Sequence, residues 1–90
     1  MILLVSYDLN KPGKDYPTLY DVLKSGLSWW HYLDSTWVIY TNESTDTWEK
    51  KIKAAVDQND HFIIVDITRR ARNGWLPKKA WEWLDEHEKR

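Results

Sequence analysis

The sequence predicts an α+β domain built on one antiparallel sheet, on three observations. Residues 1–8 (MILLVSYD) and 61–68 (HFIIVDIT) are strand-like runs with apolar residues on both faces. Residues 28–41 (SWWHYLDSTWVIYT) are dense in aromatic and β-branched residues, the composition of strands. Between and after these runs, apolar residues recur at helical spacing.

Each element follows in order. Met1–Asp8 is the first strand, and the next break is the loop Asn10–Asp15, which holds a Pro-Gly pair. Tyr16–Ser25 reads as a helix: Pro17 suits its first turn, Leu19, Val22 and Leu23 share a face, and Gly26 ends it. Fourteen residues, Ser28–Thr41, are too many for an ordinary strand. They predict a hairpin, Trp29–Leu33 and Thr36–Thr41, turning at Asp34-Ser35, with a single bulged strand as the alternative. Asp46 is placed to cap the next helix with Glu49 three residues on. Trp48, Ile52, Ala55 and Val56 form that helix's apolar stripe, and Lys50, Lys51 and Lys53 lie off it. His61–Thr68 is the last strand and Arg69–Asn73 a basic connection. A C-terminal helix spans about 77–88, with Trp81 and Leu84 on one face, Ala80 and His87 beside them and Trp83 off the stripe.

The order β-α-β-β-α-β is the split βαβ pattern of ferredoxin-like folds, here with a helix added. In that fold the sheet runs 4-1-3-2, with two helices on one face. The first and last strands, apolar on both faces, are read as the central pair. Something must cover the second face: the C-terminal helix, or a second copy in a homodimer.

Composition narrows the function classes. The 90 residues make one domain, 1–90. There is no Cys, which excludes a disulfide scaffold, a zinc finger and a thiol nucleophile, and makes the cytoplasm the expected location. The longest apolar run, Met1–Val5, is far short of a membrane span, and no signal-peptide pattern opens the chain. Residues 1–47 hold three Lys against five Asp and one Glu, a net −3; residues 48–90 hold ten basic against eight acidic residues, a net +2. This balance allows nucleic acid without indicating it. Seven Trp, five Tyr and one Phe exceed what one small core hides.

The predicted topology gathers Asp8, Asp34, Ser35, Asp60 and His61 at one end of the sheet, with His31 nearby. Carboxylates with an imidazole can hold a divalent cation, and oxygen ligands suit Mg²⁺ or Mn²⁺. The same Asp residues can instead cap turns. His61 can be a plain surface residue and His31 a packed one. Ser35 has no nucleophile-elbow motif around it, which excludes a catalytic triad. Arg69, Arg70 and Arg72 with Trp75 can grip phosphate and stack a base, or form a solvated connection.

The strand end Tyr7-Asp8, the element order, the Ser35-Thr36-Trp37-Val38 strand start and the Asn59-Asp60 lead into the last strand resemble the small CRISPR-associated endoribonuclease-like family. The virulence-associated protein D ribonucleases are its relatives. The segments WWHYLDSTW and GWLPKKAWEWL are similar to those of short phage and bacterial proteins labelled SinR-like, a likeness that covers nearly the whole chain. The wider resemblance implies a ferredoxin-like homodimer in which Asp8 of each subunit binds Mg²⁺ or Mn²⁺ near the two-fold axis, for cleavage of an RNA phosphodiester. The chain departs from that family in its first helix, which carries Lys24 with Asp15 and Asp21 around it, and in its Trp-rich C-terminal helix. The alternative reading is a non-enzymatic, phage- or defence-associated module. It would meet a host or defence-system protein through Trp29 or Trp30, Trp83 and the arginine segment, whereas RNA or DNA is the partner expected on the leading reading.

Overall fold

The computed structural model describes residues 1–10 and 16–89. The loop expected at 10–15 therefore lies, from residue 11 on, outside the described residues. The described residues form, in order, β1 (Ile2–Asp8), α1 (Pro17–Leu23), β2 (Ser28–Leu33), β3 (Thr36–Tyr40), α2 (Thr45–Lys53), β4 (His61–Asp66) and α3 (Lys78–Glu88). The four strands form one antiparallel sheet in the order β2-β3-β1-β4.

This order corrects one sequence expectation. The central strands are β1 and β3, whereas among the described residues β4 pairs only with β1 and forms an edge. The double-faced apolar pattern of β4 misled because only one of its faces is covered. Ile63 and Val65 are 59% and 41% exposed.

Alternation along the strands builds two cores. On one face, Leu3, Val5 and Tyr7 of β1 and Trp37 and Ile39 of β3 pack with Leu19 and Leu23 of α1 and with Trp48 and Ile52 of α2. On the other, Ile2, Val38 and Trp30 pack against Ala80 and Leu84 of α3. The C-terminal helix thus covers part of the second face and leaves the β4 side bare. Trp29 and Trp30, adjacent on β2, point to opposite faces. Trp30 is buried in the second core, while Trp29 stays partly exposed beside Trp37.

The hairpin turns at Asp34-Ser35, and the β2–β3 register slips between Trp30 and Leu33, so hairpin and bulge coexist. The cap of α2 is Ser44 rather than Asp46. Ser44 has extended backbone, and its Oγ accepts from the Thr47 N–H. Asp46 falls inside the first turn, where its charge favours the helix N-terminus.

Gly26 has a different role from the helix cap expected for it. The cap of α1 is Lys24, in right-handed helical conformation. A Cβ on Gly26 would collide with Ile39 Cγ2 and come within 3.2 Å of the Tyr40 carbonyl. The connection passes so close to β3 that only a residue without a side chain fits. Gly26→Ala is expected to destabilise the domain by about 1–3 kcal/mol. An unchanged midpoint in urea unfolding would refute that close approach.

Candidate functional site

The end of the sheet where β1 finishes brings the predicted residues together through backbone pairing. Asp8 lies directly opposite His61 in the β1–β4 ladder. The Tyr7 N–H donates to the Ser35 carbonyl at 3.0 Å, which ties the hairpin turn to the same end. The Asp60 carboxylate accepts from the Asn10 N–H at 2.6 Å, reaching across from the start of β4.

Their side chains are employed differently. Asp60 is buried and acts as a clamp. Its Oδ1 takes the Asn10 N–H and the Tyr16 hydroxyl, and its Oδ2 takes the Asp57 N–H at 2.8 Å. The Asn10 bond first, then those from Asp57 and Tyr16, hold this carboxyl below the usual carboxylate range. Asp34 and Ser35 are exposed turn residues. His31 stacks on Trp37 with ring centres 4.2 Å apart, and its Nε2 lies 2.8 Å from the Asp34 carbonyl. Asp8 and His61 are both exposed. Among the described residues, no hydrogen bond or ion pair engages the Asp8 carboxylate.

Behind Asp8, on the helix-covered face, Tyr7 receives the Trp37 indole N–H on its hydroxyl at 3.1 Å. Burial pushes the Tyr7 phenol above its ordinary value, and the Trp37 bond opposes this only in part. Trp37 also forms the back of an open cleft of about 470 Å³, lined by Tyr20, Lys24, Trp29 and His31. The Lys24 ammonium sits 5.8 Å from the Trp29 ring centre. Flat rings with a cation suit base stacking and a phosphate. The sequence reading singled out Trp29 and His31 but missed Tyr20, Lys24 and Trp37. Their convergence depends on α1 lying beside β2 and β3, and its only local signal is the lysine on an otherwise acidic helix.

The arginine segment divides. The guanidinium of Arg72 bonds to the Ile67 carbonyl and pairs with Glu88, which is held below the ordinary glutamate range chiefly by that bond. Arg69 adopts a left-handed backbone, φ 54°, and its N–H donates to Glu88. Arg69 and Arg70 are exposed, and Trp75 is 99% exposed. Trp83 is partly buried: its indole donates to Ser28 Oγ at 2.8 Å and its ring stacks on His87. It fastens α3 to β2.

Among the described residues, no three His, Cys, Asp or Glu side chains converge to hold a metal ion. Structural zinc and calcium sites need four or more protein ligands. Magnesium commonly takes one or two carboxylates and completes its shell with water and substrate phosphate. The donors at Asp8 fit only that sparse kind of site. No described helix is long and apolar enough to cross a membrane. No protein-family model, curated protein or solved structure matches the chain.

Proposed function

We propose that this chain is a homodimeric, Mg²⁺- or Mn²⁺-dependent endoribonuclease-like protein of ferredoxin-like fold, with Asp8 of each subunit as the metal-binding carboxylate. The observation that carries the reading is Asp8 itself: a solvent-facing carboxylate at the end of a central strand, engaged by none of the described residues. The ferredoxin-like assignment is supported by the order β2-β3-β1-β4 and by the shared core of α1 and α2.

The homodimer is supported by what lies on the Asp8 face. By alternation, Asp8 shares that face with Ser6 and Leu4, opposite His61, Ile63 and Val65. Ile63 and Val65 are exposed beside an open strand edge, and a second copy covering them would bring its own Asp8 toward this one. Asp8, one from each subunit, would hold the metal, with His61 beside it. The metal would supply charge stabilisation and an activated water at an RNA phosphodiester.

Purified protein is expected to cleave single-stranded RNA when Mg²⁺ or Mn²⁺ is added. Asp8→Asn is expected to reduce that rate by roughly 10²-fold or more, with the sedimentation of the dimer unchanged. Equal cleavage by Asp8→Asn would identify a contaminant and end the nuclease reading. The alternative, a non-enzymatic interaction module, draws its support from Trp75, which projects fully into solvent on the same connection that carries the exposed Arg69 and Arg70. It predicts a protein partner lost on Trp75→Ala and kept on Asp8→Asn.

A further inference from the structure

The two edges of the sheet differ. Strand β2 is irregular, with its register slipping between Trp30 and Leu33. Strand β4 pairs with β1 without a break from His61 to Asp66, and it carries no Lys, Pro or Gly. Bulges, lysines and prolines blunt sheet edges in natural proteins, so β4 stays a template for another strand.

The ladder fixes which backbone groups of β4 are unused. The Ile67 N–H donates to the Ile2 carbonyl at 2.9 Å. Hydrogen-bonded pairs alternate along an antiparallel ladder, so Val65, Ile63 and His61 turn their N–H and C=O toward β1. Phe62 and Ile64 turn theirs outward. Among the described residues, no hydrogen bond engages those four groups. The side chains of Phe62 and Ile64 lie on the helix-covered face, where α2 runs beside β4. Two grooves of about 510 and 260 Å³ lie between helix and strand and share Glu49 and Phe62. The first also meets Lys53 and Asp57, the second Asp46 and Ile64. Asp46 and Glu49 are exposed, and among the described residues no cation pairs with either. With Asp60 committed to its clamp, three carboxylates face one lysine along the grooves.

We infer that the β4 edge takes up an extended, basic peptide as an added strand. The peptide runs antiparallel, as every neighbour in the sheet does, and answers the outward N–H and C=O groups of Phe62 and Ile64. Its residues opposite Phe62 and Ile64 point to the grooves, where Lys or Arg meets Glu49, Asp46 and Asp57. The residues between them point to the other face, where Val or Ile extends the exposed Ile63 and Val65. Charge selects this occupant over a second β4, which has no Lys or Arg and would bring two acidic margins together. The site uses the outer side of β4 and does not depend on the nuclease reading.

The test is a titration of the fluorescein-labelled peptide TVKVRVT with the full chain, read by anisotropy without metal or RNA. The controls are TVEVEVT, and TVKVRVT with the backbone amides of its lysine and arginine methylated. Hydrogen exchange at the Phe62 and Ile64 amides is followed by ¹H–¹⁵N NMR. Saturable binding of TVKVRVT is expected, with exchange of both amides slowed about tenfold or more and both controls weaker by about tenfold. Glu49→Lys is expected to weaken TVKVRVT about fivefold and to strengthen TVEVEVT. Glu49 is exposed, so this variant keeps the fold. The proposal is overturned if TVKVRVT does not bind at millimolar concentration, if either control binds equally, or if Glu49→Lys binds as the wild type does. Slow exchange of both amides in the free chain that quickens on dilution would make a second copy the occupant, and would overturn it too.

Discussion

Trp48→Ala is expected to remove about 3–5 kcal/mol of stability, the largest loss from any single substitution considered in this domain. Trp48 is fully buried on α2, among residues of both helices and the two central strands. Truncation deletes the largest of the fully buried side chains, and the rigid sheet beneath cannot collapse into the space. It also removes the donor to Thr41 Oγ1, whose residue joins β3 to the N-terminus: the Thr41 carbonyl accepts from the Met1 ammonium and the Thr41 N–H donates to the Met1 carbonyl. Small domains hold only about 5–15 kcal/mol in total. Thermal unfolding should therefore shift down by more than roughly 15 °C or lose its cooperativity. Trp75→Ala is the matched control, since that side chain is almost wholly in solvent and its removal should move stability by less than about 0.5 kcal/mol. Similar unfolding temperatures for the two variants would mean that α2 does not pack on the sheet.

The contrast between these two tryptophans shows what could be read from the sequence. Trp48 stood on a helical stripe with Ile52, so its burial followed from spacing alone. The hairpin was legible because 14 strand-forming residues need a turn, and Asp34-Ser35 was the polar break available. Edge and centre were not legible for β4. A strand with apolar residues on both faces looks the same whether a neighbour covers the second face or nothing does. The α2 cap was ambiguous because Ser44 and Asp46 are both capping residue types; backbone geometry chose Ser44.

For the candidate site, the gathering of Asp8, Asp34, Ser35, Asp60 and His61 at one sheet end followed from the order of elements. The employment of each side chain did not. Nothing local separates Asp8, which projects into solvent, from Asp60, which accepts three bonds from three different stretches of chain. Trp83 was expected off the apolar stripe and available for a partner. Instead it is held by Ser28, 55 residues away, and no local pattern encodes that bond. The unused backbone groups of Phe62 and Ile64 are likewise a tertiary fact, invisible until β1 takes the other side of β4.

Asp60→Asn should lower the unfolding temperature at neutral pH by roughly 5–10 °C and should flatten its dependence on acid. The two carboxylate oxygens divide the work: Oδ1 serves Asn10 and Tyr16, and Oδ2 serves Asp57. An amide replaces one of these acceptors with an N–H₂ group, which then faces a donor. The sign of the pH effect follows from the direction of the shift. The folded-state pKa of Asp60 lies below its unfolded value, mainly through the Asn10 N–H. The stability it contributes is complete above the unfolded pKa of about 3.9 and is lost as pH falls through the lower folded value. Glu88, held down chiefly by Arg72, and Asp66, held down chiefly by the Thr68 hydroxyl, add losses of the same sign. Both are present in wild type and variant, so they cancel in the difference between the two curves. The wild-type advantage should be steady from pH 7 to about 5 and shrink below about pH 4. A constant offset down to pH 3 would show that the clamp owes nothing to the charge on Asp60. A vanishing offset at neutral pH would show that the position of Asn10 beside the Asp8 end of the sheet is held by something else.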